Sequence, residues 1–375
     1  MSTIRIVLAG GGSGGHIFPL IAVSRAILAR GSGVDLRFIG PIPFGKEKLQ
    51  AEGITVVPII AGKIPRYPTP MLFVELFKIP IGFFMAFWHL FSYMPDIVFG
   101  KGGYGMVPVA FVAWLFRIPV IIHESDAIAG LATRIVSRFA TQTLTSFPNT
   151  HGISTDVTCV GNPVRSTLAL GDQARGQEHF KLAMKPMVLV LGGSQGAEEL
   201  NALLLRIAPE LVENAEVIHQ VGAAREAVFQ KEIEQVLGPY PGSIEFYHVI
   251  GFLKEEELAD AYAAATVVVS RAGAGLIFEL AALGKPTIFI PHMQGSAQHH
   301  QYANAEAIAG ADAALLLAGD ELTPNLLLDE VKWLLSDEQK RASFSERFAT
   351  FARPDAAAEI ADLILKRVQQ KLATM

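Results

Sequence analysis

The chain has 375 residues, 51% of them hydrophobic, one cysteine and a formal net charge of −5. That length suits two domains, since a single core seldom grows beyond ~250 to 300 residues. The mild acidity leaves no electrostatic footprint for nucleic acid, and a lone cysteine excludes an internal disulfide or a cysteine-built metal site.

The apolar run Ile4 to Ala9 reads as a strand, Gly10 to His16 (Gly-Gly-Gly-Ser-Gly-Gly-His) as a glycine loop, and the stretch from Ile17 as a helix. Six apolar residues running into a loop do not make a signal peptide, so a cytoplasmic location is expected. Glycines let backbone N–H groups approach an anion, and the unpaired amides of a helix start favour negative charge there. The arrangement suits phosphate. His16 adds a group that phosphate binding does not need, with an unperturbed pKa suited to moving a proton. Gly10, Gly12 and Gly15 also match the dinucleotide fingerprint, which wants an acid at the end of the second strand, roughly 20 positions on. Here that strand, 34–40, has its only acid, Asp35, near its start. An ordinary nicotinamide or flavin enzyme is therefore disfavoured, and glycines that merely close a tight turn remain the bland reading.

Further strands are predicted at 36–39, 56–60, 96–99 and 120–122. Between the second and third of these lies an aromatic run from Ile79 to Pro95, with Phe83, Phe84, Phe87, Trp88 and Phe91 on more than one helical face. A spanning helix needs ~20 apolar residues. This run is shorter and holds Pro80, Gly82 and His89, with Lys63, Arg66 and Lys78 upstream. Two readings stand: a buried crossover helix, or a helix lying in the interface of an anionic membrane.

Gly102-Gly103-Tyr104 makes another glycine loop at a strand end, and His123-Glu124 ends the 120–122 strand. A carboxylate beside an imidazole can orient it or raise its pKa, and a satisfied structural pair is the other reading. No HExxH, nucleophile elbow or Walker A pattern occurs, so metalloprotease, serine hydrolase and P-loop functions have no support.

A second series begins with a strand at 187–191, the glycine loop Gly192 to Ala197 and a helix from Glu198, followed by strands at 216–221, 245–248, 267–270 and 287–290. β-Branched runs alternating with helices imply an α/β fold of two doubly wound, Rossmann-like domains with parallel sheets and a cleft between them. The expected domains are 1–165 and 166–353, divided within 163–186, with a terminal helix at about 354–375 returning to the first. One substrate per domain suits a transferase. In the second domain Ser194 is placed to donate to phosphate, Glu279 to accept from ribose hydroxyls, and the Gln301 amide to meet a sugar hydroxyl. Their order suggests a nucleotide-diphosphate sugar.

Taken together, these residues resemble glycosyltransferase family 28, the N-acetylglucosaminyltransferases of peptidoglycan synthesis. The resemblance spans nearly the whole chain. It rests on residues 10–19, Gly-Gly-Tyr at 102–104, His-Glu at 123–124 with Ala-Gly at 129–130, and Gly-Asn-Pro-Val-Arg at 161–165. It continues with Gly-Gly-Ser-Gln-Gly-Ala at 192–197, Arg-Ala-Gly-Ala at 271–274 with Glu279, and His-Gln-x-x-Asn-Ala at 300–305.

The resemblance implies a GT-B fold and an inverting transfer of N-acetylglucosamine, without metal, cofactor or covalent intermediate. The donor would be UDP-N-acetylglucosamine and the acceptor the C4 hydroxyl of undecaprenyl-diphospho-N-acetylmuramoyl-pentapeptide. By the same resemblance Ser194 and Arg165 lie near the donor diphosphate, Leu253 beside uracil, Glu279 on the ribose and Gln301 near the sugar. Asp126, Ala274, Gly275, Leu276, Ile277 and Phe278 complete the substrate-binding set. Ser13, Gly14 and Gly15 would receive the acceptor, His16 would act as base, and Tyr104 and Glu124 would join it as catalytic residues lining the cleft. Ile79 to Phe91 would touch an anionic membrane surface, placing the protein peripherally on the cytoplasmic face of the plasma membrane.

Several positions depart from the family pattern. His123-Glu124-Ser125-Asp126 replaces His-Glu-Gln-Asn, putting an acid beside the donor sugar. Met106 stands for a serine, Thr133 for an asparagine, Leu276 and Phe278 for a threonine and a serine, and His299 where an acid is common. Asp126, Leu276 and Phe278 motivate one alternative, a related glycolipid transferase with another donor or acceptor. A UDP-sugar epimerase of the same architecture and a non-catalytic cell-wall scaffold are the others.

Overall fold

The computed structural model describes residues 3–373 except 12–13, 32, 43–44, 64–70, 154–156, 184, 193–196 and 293–295. It divides into two compact units, 1–165 with 353–375, and 166–352.

The first unit runs β1 (Ile4–Gly10), α1 (Gly14–Leu28), β2 (Val34–Gly40), α2 (Lys46–Ala51), β3 (Thr55–Pro58), α3 (Met71–Tyr93), β4 (Ile97–Lys101), α4 (Met106–Leu115), β5 (Val120–Glu124), α5 (Leu131–Val136), β6 (Gln142–Thr145) and β7 (Val157–Cys159). All seven strands are parallel, in the order β3-β2-β1-β4-β5-β6-β7. Central strands buried on both faces demand apolar side chains at successive positions, which is how Ile6, Val7, Leu8 and Ala9 come to be wholly buried.

The second unit runs α6 (Gln173–Phe180), β8 (Met187–Leu191), α7 (Glu198–Asn214), β9 (Glu216–Gln220), α8 (Glu226–Leu237), β10 (Tyr247–Ile250), α9 (Glu255–Ala264), β11 (Val267–Ser270), α10 (Ala274–Ala282), β12 (Thr287–Phe289), α11 (Ser296–Ala309), β13 (Leu315–Leu316), α12 (Pro324–Ser336) and α13 (Glu338–Ala349). Its parallel sheet has the order β10-β9-β8-β11-β12-β13.

The last helix, α14 (Ala356–Ala373), belongs to the first unit. Ile360, Ala361, Ile364 and Val368 enter the same core as Ile17, Leu20 and Ile27 of α1 and Ile6 and Leu8 of β1. Arg30 pairs with Asp362 at the edge of this packing.

The sequence pattern missed β6, β7 and β13, which are short, lie toward one sheet edge and lack a β-branched apolar run. Thr143 and Thr145 of β6 are buried nonetheless. The strand expected from 245 begins at Tyr247, because Ser243–Phe246 forms a 3-10 turn.

The aromatic residues of the run lie on α3 (Met71–Tyr93), and they divide between two faces of the helix. Phe73, Phe77, Ile81, Phe84, Trp88 and Phe91 form one exposed stripe at helical spacing, with Phe77 74% and Trp88 61% exposed. Ala86, Leu90 and Tyr93 are buried in the core on the other side, and Phe83 turns inward to meet Phe111 of α4 edge-on at 5.3 Å. Trp114 and Leu115 extend the exposed apolar surface onto α4. Lys78 is ion-paired with Glu75 at 2.6 Å, and Arg66 lies outside the described residues.

Candidate functional site

Strand order in the first sheet reverses between β1 and β4, so the connections leaving these neighbours run to opposite faces and open a crevice at their carboxyl ends. Gly10 and Lys101 are register partners, so the loops after them start side by side. The two loops touch. A Cβ on Gly103 (φ +75°) would lie 2.8 Å from the Gly11 Cα, and one on Gly105 would lie 2.5 Å from the Gly10 carbonyl oxygen. Only glycine permits this closure.

His16, in the first turn of α1, lays its ring on that floor. A Cβ on Gly11 would sit 3.1 Å from its Nδ1, and one on Gly102 would sit 3.4 Å from its Nε2. Burial, reinforced by the Lys101 ammonium and opposed by Glu124, pushes its pKa down to about 4. The ring is therefore neutral at physiological pH. Gly14 opens α1, Gly15 faces open space, and Ser13 lies outside the described residues. Tyr104 is half-buried in the turn before α4.

Beneath this floor Lys101 is wholly buried. Its Nζ donates to His123 Nδ1 at 2.5 Å, Ser125 Oγ at 2.5 Å and Asn162 Oδ1 at 2.9 Å, while His123 Nε2 lies 2.8 Å from the Gly161 carbonyl oxygen. An ammonium only donates and a carbonyl only accepts, so these partners assign His123 the neutral tautomer protonated at Nε2. Burial and Lys101 hold its pKa well below the usual histidine range. Burial likewise pushes Lys101 down to about 7, against the opposing pull of Glu124 and Asp126.

The imidazole–carboxylate pair expected at 123–124 is not what these two residues build, because adjacent side chains on a strand leave opposite faces. Glu124 Oε1 accepts from the backbone N–H groups of Ser125 (2.8 Å) and Asp126 (3.1 Å), and Oε2 from Gly130 (3.1 Å). It folds the following loop around its own carboxylate. Asp126 is half-buried there, and Thr133 is buried on α5. Met106 fills the space above Gly100, whose Cβ would meet its sulfur at 2.3 Å. Arg165 belongs to the first unit, with its guanidinium 4.8 Å over the Phe18 ring on α1.

In the second sheet the order reverses between β8 and β11. Ser194, after β8, lies outside the described residues. After β11, α10 makes its first intrahelical bond from Ile277 N to Gly273 O, leaving the N–H groups of Ala274, Gly275 and Leu276 outside the helix's own ladder. A Cβ on Gly273 or Gly275 would meet nothing within 4 Å. This open helix start suits an anion. The Ile277 and Phe278 side chains are buried, so these positions face the core, while Leu276 is half-buried. Glu279 is buried farther along the helix. Gln301 on α11 accepts from the His292 N–H at 3.1 Å, and the buried Leu253 donates its N–H to Gln220 Oε1 at 3.0 Å.

Sequence reasoning gave no role to Lys101, Asn162, Gln220 or Arg271. Arg271 is buried and donates to the Ile290 (3.1 Å) and Pro291 (2.6 Å) carbonyls and to Glu199 (2.8 Å), tying α7, β11 and the end of β12 together. For Lys101 a signal was present: a cation ending an otherwise apolar central strand. Among the described residues no cluster of three or more His, Cys, Asp or Glu side chains is placed to hold a metal.

Comparison with known proteins gives two domain matches, the glycosyltransferase family 28 N-terminal domain over residues 6–145 and the C-terminal domain over 187–360. A Treponema denticola protein described as UDP-N-acetylglucosamine–N-acetylmuramyl-(pentapeptide) pyrophosphoryl-undecaprenol N-acetylglucosamine transferase is 35% identical, covering 94% of this chain and 93% of its own. The crystal structure of Acinetobacter baumannii MurG matches with a TM-score of 0.74 at 27% identity, over 97% of this chain and 99% of that one. A Neisseria meningitidis UDP-GlcNAc 2-epimerase structure matches with a TM-score of 0.68 over 97% of this chain and 100% of that one. At 13% identity that likeness shows the shared fold alone.

Proposed function

Since the chain belongs to glycosyltransferase family 28, we propose that it transfers N-acetylglucosamine from UDP-N-acetylglucosamine to the C4 hydroxyl of undecaprenyl-diphospho-N-acetylmuramoyl-pentapeptide, with inversion. The substrates are those of its named relative. The observation that carries the mechanism is the seat of His16, a neutral imidazole on a floor made by two touching glycine loops. The loops and the start of α1 receive the acceptor's diphosphate through Ser13, Gly14 and Gly15. His16 Nε2 or Nδ1 takes the proton from the acceptor hydroxyl as its oxygen attacks the anomeric carbon. The bond from that carbon to the diphosphate oxygen breaks with its electron pair, and UDP leaves.

In this reading the second unit binds the donor. The open N–H groups at the start of α10, with Ser194 and Arg165, balance the charge of the leaving diphosphate without a metal or a covalent intermediate. Leu253 lies beside uracil, Glu279 accepts from the ribose, and Gln301 meets the sugar. Glu124 and Tyr104 shape the acceptor side, with Glu124 acting through the loop it folds.

The exposed stripe of α3 is the membrane-binding surface in this proposal, holding the protein on the cytoplasmic face of the plasma membrane. By length and composition the 21 residues Phe73–Tyr93 suffice to cross a membrane. The other side of the helix is occupied by the unit's core, which supports lying in the interface rather than spanning.

Incubation with UDP-N-acetylglucosamine and a short-chain lipid acceptor should release UDP and lengthen the glycan. No turnover beside an active control would overturn the proposal. Calorimetry across several sugar nucleotides tests the alternative motivated by Asp126, Leu276 and Phe278, which predicts tighter binding of a different donor.

A further inference from the structure

Lys101 has no part in the reaction as derived above, yet a wholly buried ammonium at the strand reversal is a costly feature to maintain. Each of its three N–H bonds goes to a different side chain: His123 in β5, Ser125 in the loop that Glu124 folds, and Asn162 in the segment leading to Arg165. Ser146, after β6, adds to the same knot through Asn162 Oδ1 at 3.4 Å. Three chain segments thus converge on one cation directly below Gly102. The acceptors on Nζ are all neutral, so the charge is not cancelled in place.

The charged and titratable groups around this point come from several elements. Lys101 lies on β4, His123 and Glu124 on β5, Asp126 on the following loop, and His16 on α1 across Gly102. Gly11, Gly102 and Gly103, which carry the ring of His16, bring no charge of their own. Ser125 and Asp126 are also the residues that depart from the family's Gln-Asn. Here one accepts from Lys101 and the other supports its charge.

We propose that Lys101 is a positioning residue for the acceptor half of the reaction: its side chain locks the 123–126 loop and the 161–162 segment beneath the glycine floor and, when protonated, stands as a cation behind His16. The inference rests on the reading of His16 as the base, and deepens it. The ring's depressed pKa has burial as its first cause and this cation as its second.

The test replaces the cation twice. Lys101→Met keeps the length and removes every hydrogen bond, whereas Lys101→Gln keeps an N–H donor and removes the charge. Two readouts are taken on folded protein: NMR titration of the His16 imidazole, and the pH profile of turnover with a short-chain acceptor. In both variants the ring should titrate at higher pH than in the parent, still below the ordinary histidine value, and the acidic limb of turnover should rise with it. In Lys101→Met turnover should also fall by about a hundredfold through misplaced groups, with UDP affinity unchanged. Lys101→Gln should fall less. An unmoved His16 titration in either variant overturns the inference whatever happens to turnover. A moved titration with an unmoved acidic limb keeps the placement of Lys101 and overturns His16 as base. Should Lys101→Met not fold, the same two readouts on Lys101→Gln decide.

Discussion

At the reversal of the first sheet, the loops rest on a buried lysine and carry an imidazole. At the reversal of the second, the segment after β11 rests on a buried arginine and presents backbone N–H groups. The two cations occupy matching places: Lys101 ends the strand beside β1, and Arg271 directly follows the strand beside β8. Their chemistry differs. Arginine stays protonated and its planar fork spans two carbonyls and a carboxylate, so it ties backbone together. Lysine is a point charge that burial brings down to about 7, and it acts on neighbours that titrate. In the proposed function the same strand, loop and helix device receives a diphosphate in each unit, and only in the first does it also carry a group for proton transfer.

His16→Ala tests this division most severely. Turnover should fall by about 10²- to 10⁴-fold while UDP affinity, measured by calorimetry, stays at the parent value. A parallel loss of UDP affinity would erase the distinction between the units. Arg271→Met should do the reverse. Leaving the Ile290 and Pro291 carbonyls without their donor should cost about 1–3 kcal/mol in denaturant unfolding and weaken UDP binding. A variant as stable as the parent would show that Arg271 does not hold this end together.

The glycines sharpen the contrast. Gly103→Ala forces a Cβ against Gly11 at positive φ and should cost about 1–3 kcal/mol, visible as a lower Tm. Gly275→Ala meets open space inside a helix and should gain up to ~1 kcal/mol. It should nonetheless weaken UDP binding if the diphosphate approaches that backbone.

Acid should affect both units with the same sign. His16, at about 4, and His219, at about 3, lie below the ordinary value of 6.5, so the unfolded chain takes up protons first. Their contribution to stability is present above pH 6.5 and is lost as pH falls toward these folded values. Thermal melts at pH 7, 6 and 5 should show a declining Tm, whereas turnover should show no acidic limb from His16 near 6.5. Such a limb would place the ring in water.

The smallest change is expected from Trp88→Ser on the exposed stripe. Stability should stay within ~0.5 kcal/mol and turnover on a short-chain acceptor should not change. Sedimentation with anionic vesicles should decrease, and unchanged sedimentation would remove α3 from the membrane proposal.

The central strands were legible because β-branched runs such as Val188 to Leu191 have no other place in a soluble fold than a doubly covered sheet. Strands such as Gln142–Thr145 were not, since threonines suit a loop as well as a strand. The glycine loops announced anion sites through their spacing, but spacing does not disclose contact between loops distant in sequence, as Gly11 and Gly103 are. The orientation of Glu124 was hidden for a related reason. Its three backbone partners exist only once the loop to Gly130 has closed. Lys101 was passed over because lysine ordinarily lies in water, and only the arrangement of the sheet shows that this one does not.

The return of α14 to the first unit bears on the order in which the protein is made. Ile360, Ile364 and Val368 fill the core that Ile6, Leu8 and Leu20 begin. Residues 166–352 are continuous and hold all their own strands, so that half is free to fold while translation continues. The half synthesised first must wait with an open hydrophobic face until the helix synthesised after it emerges from the ribosome.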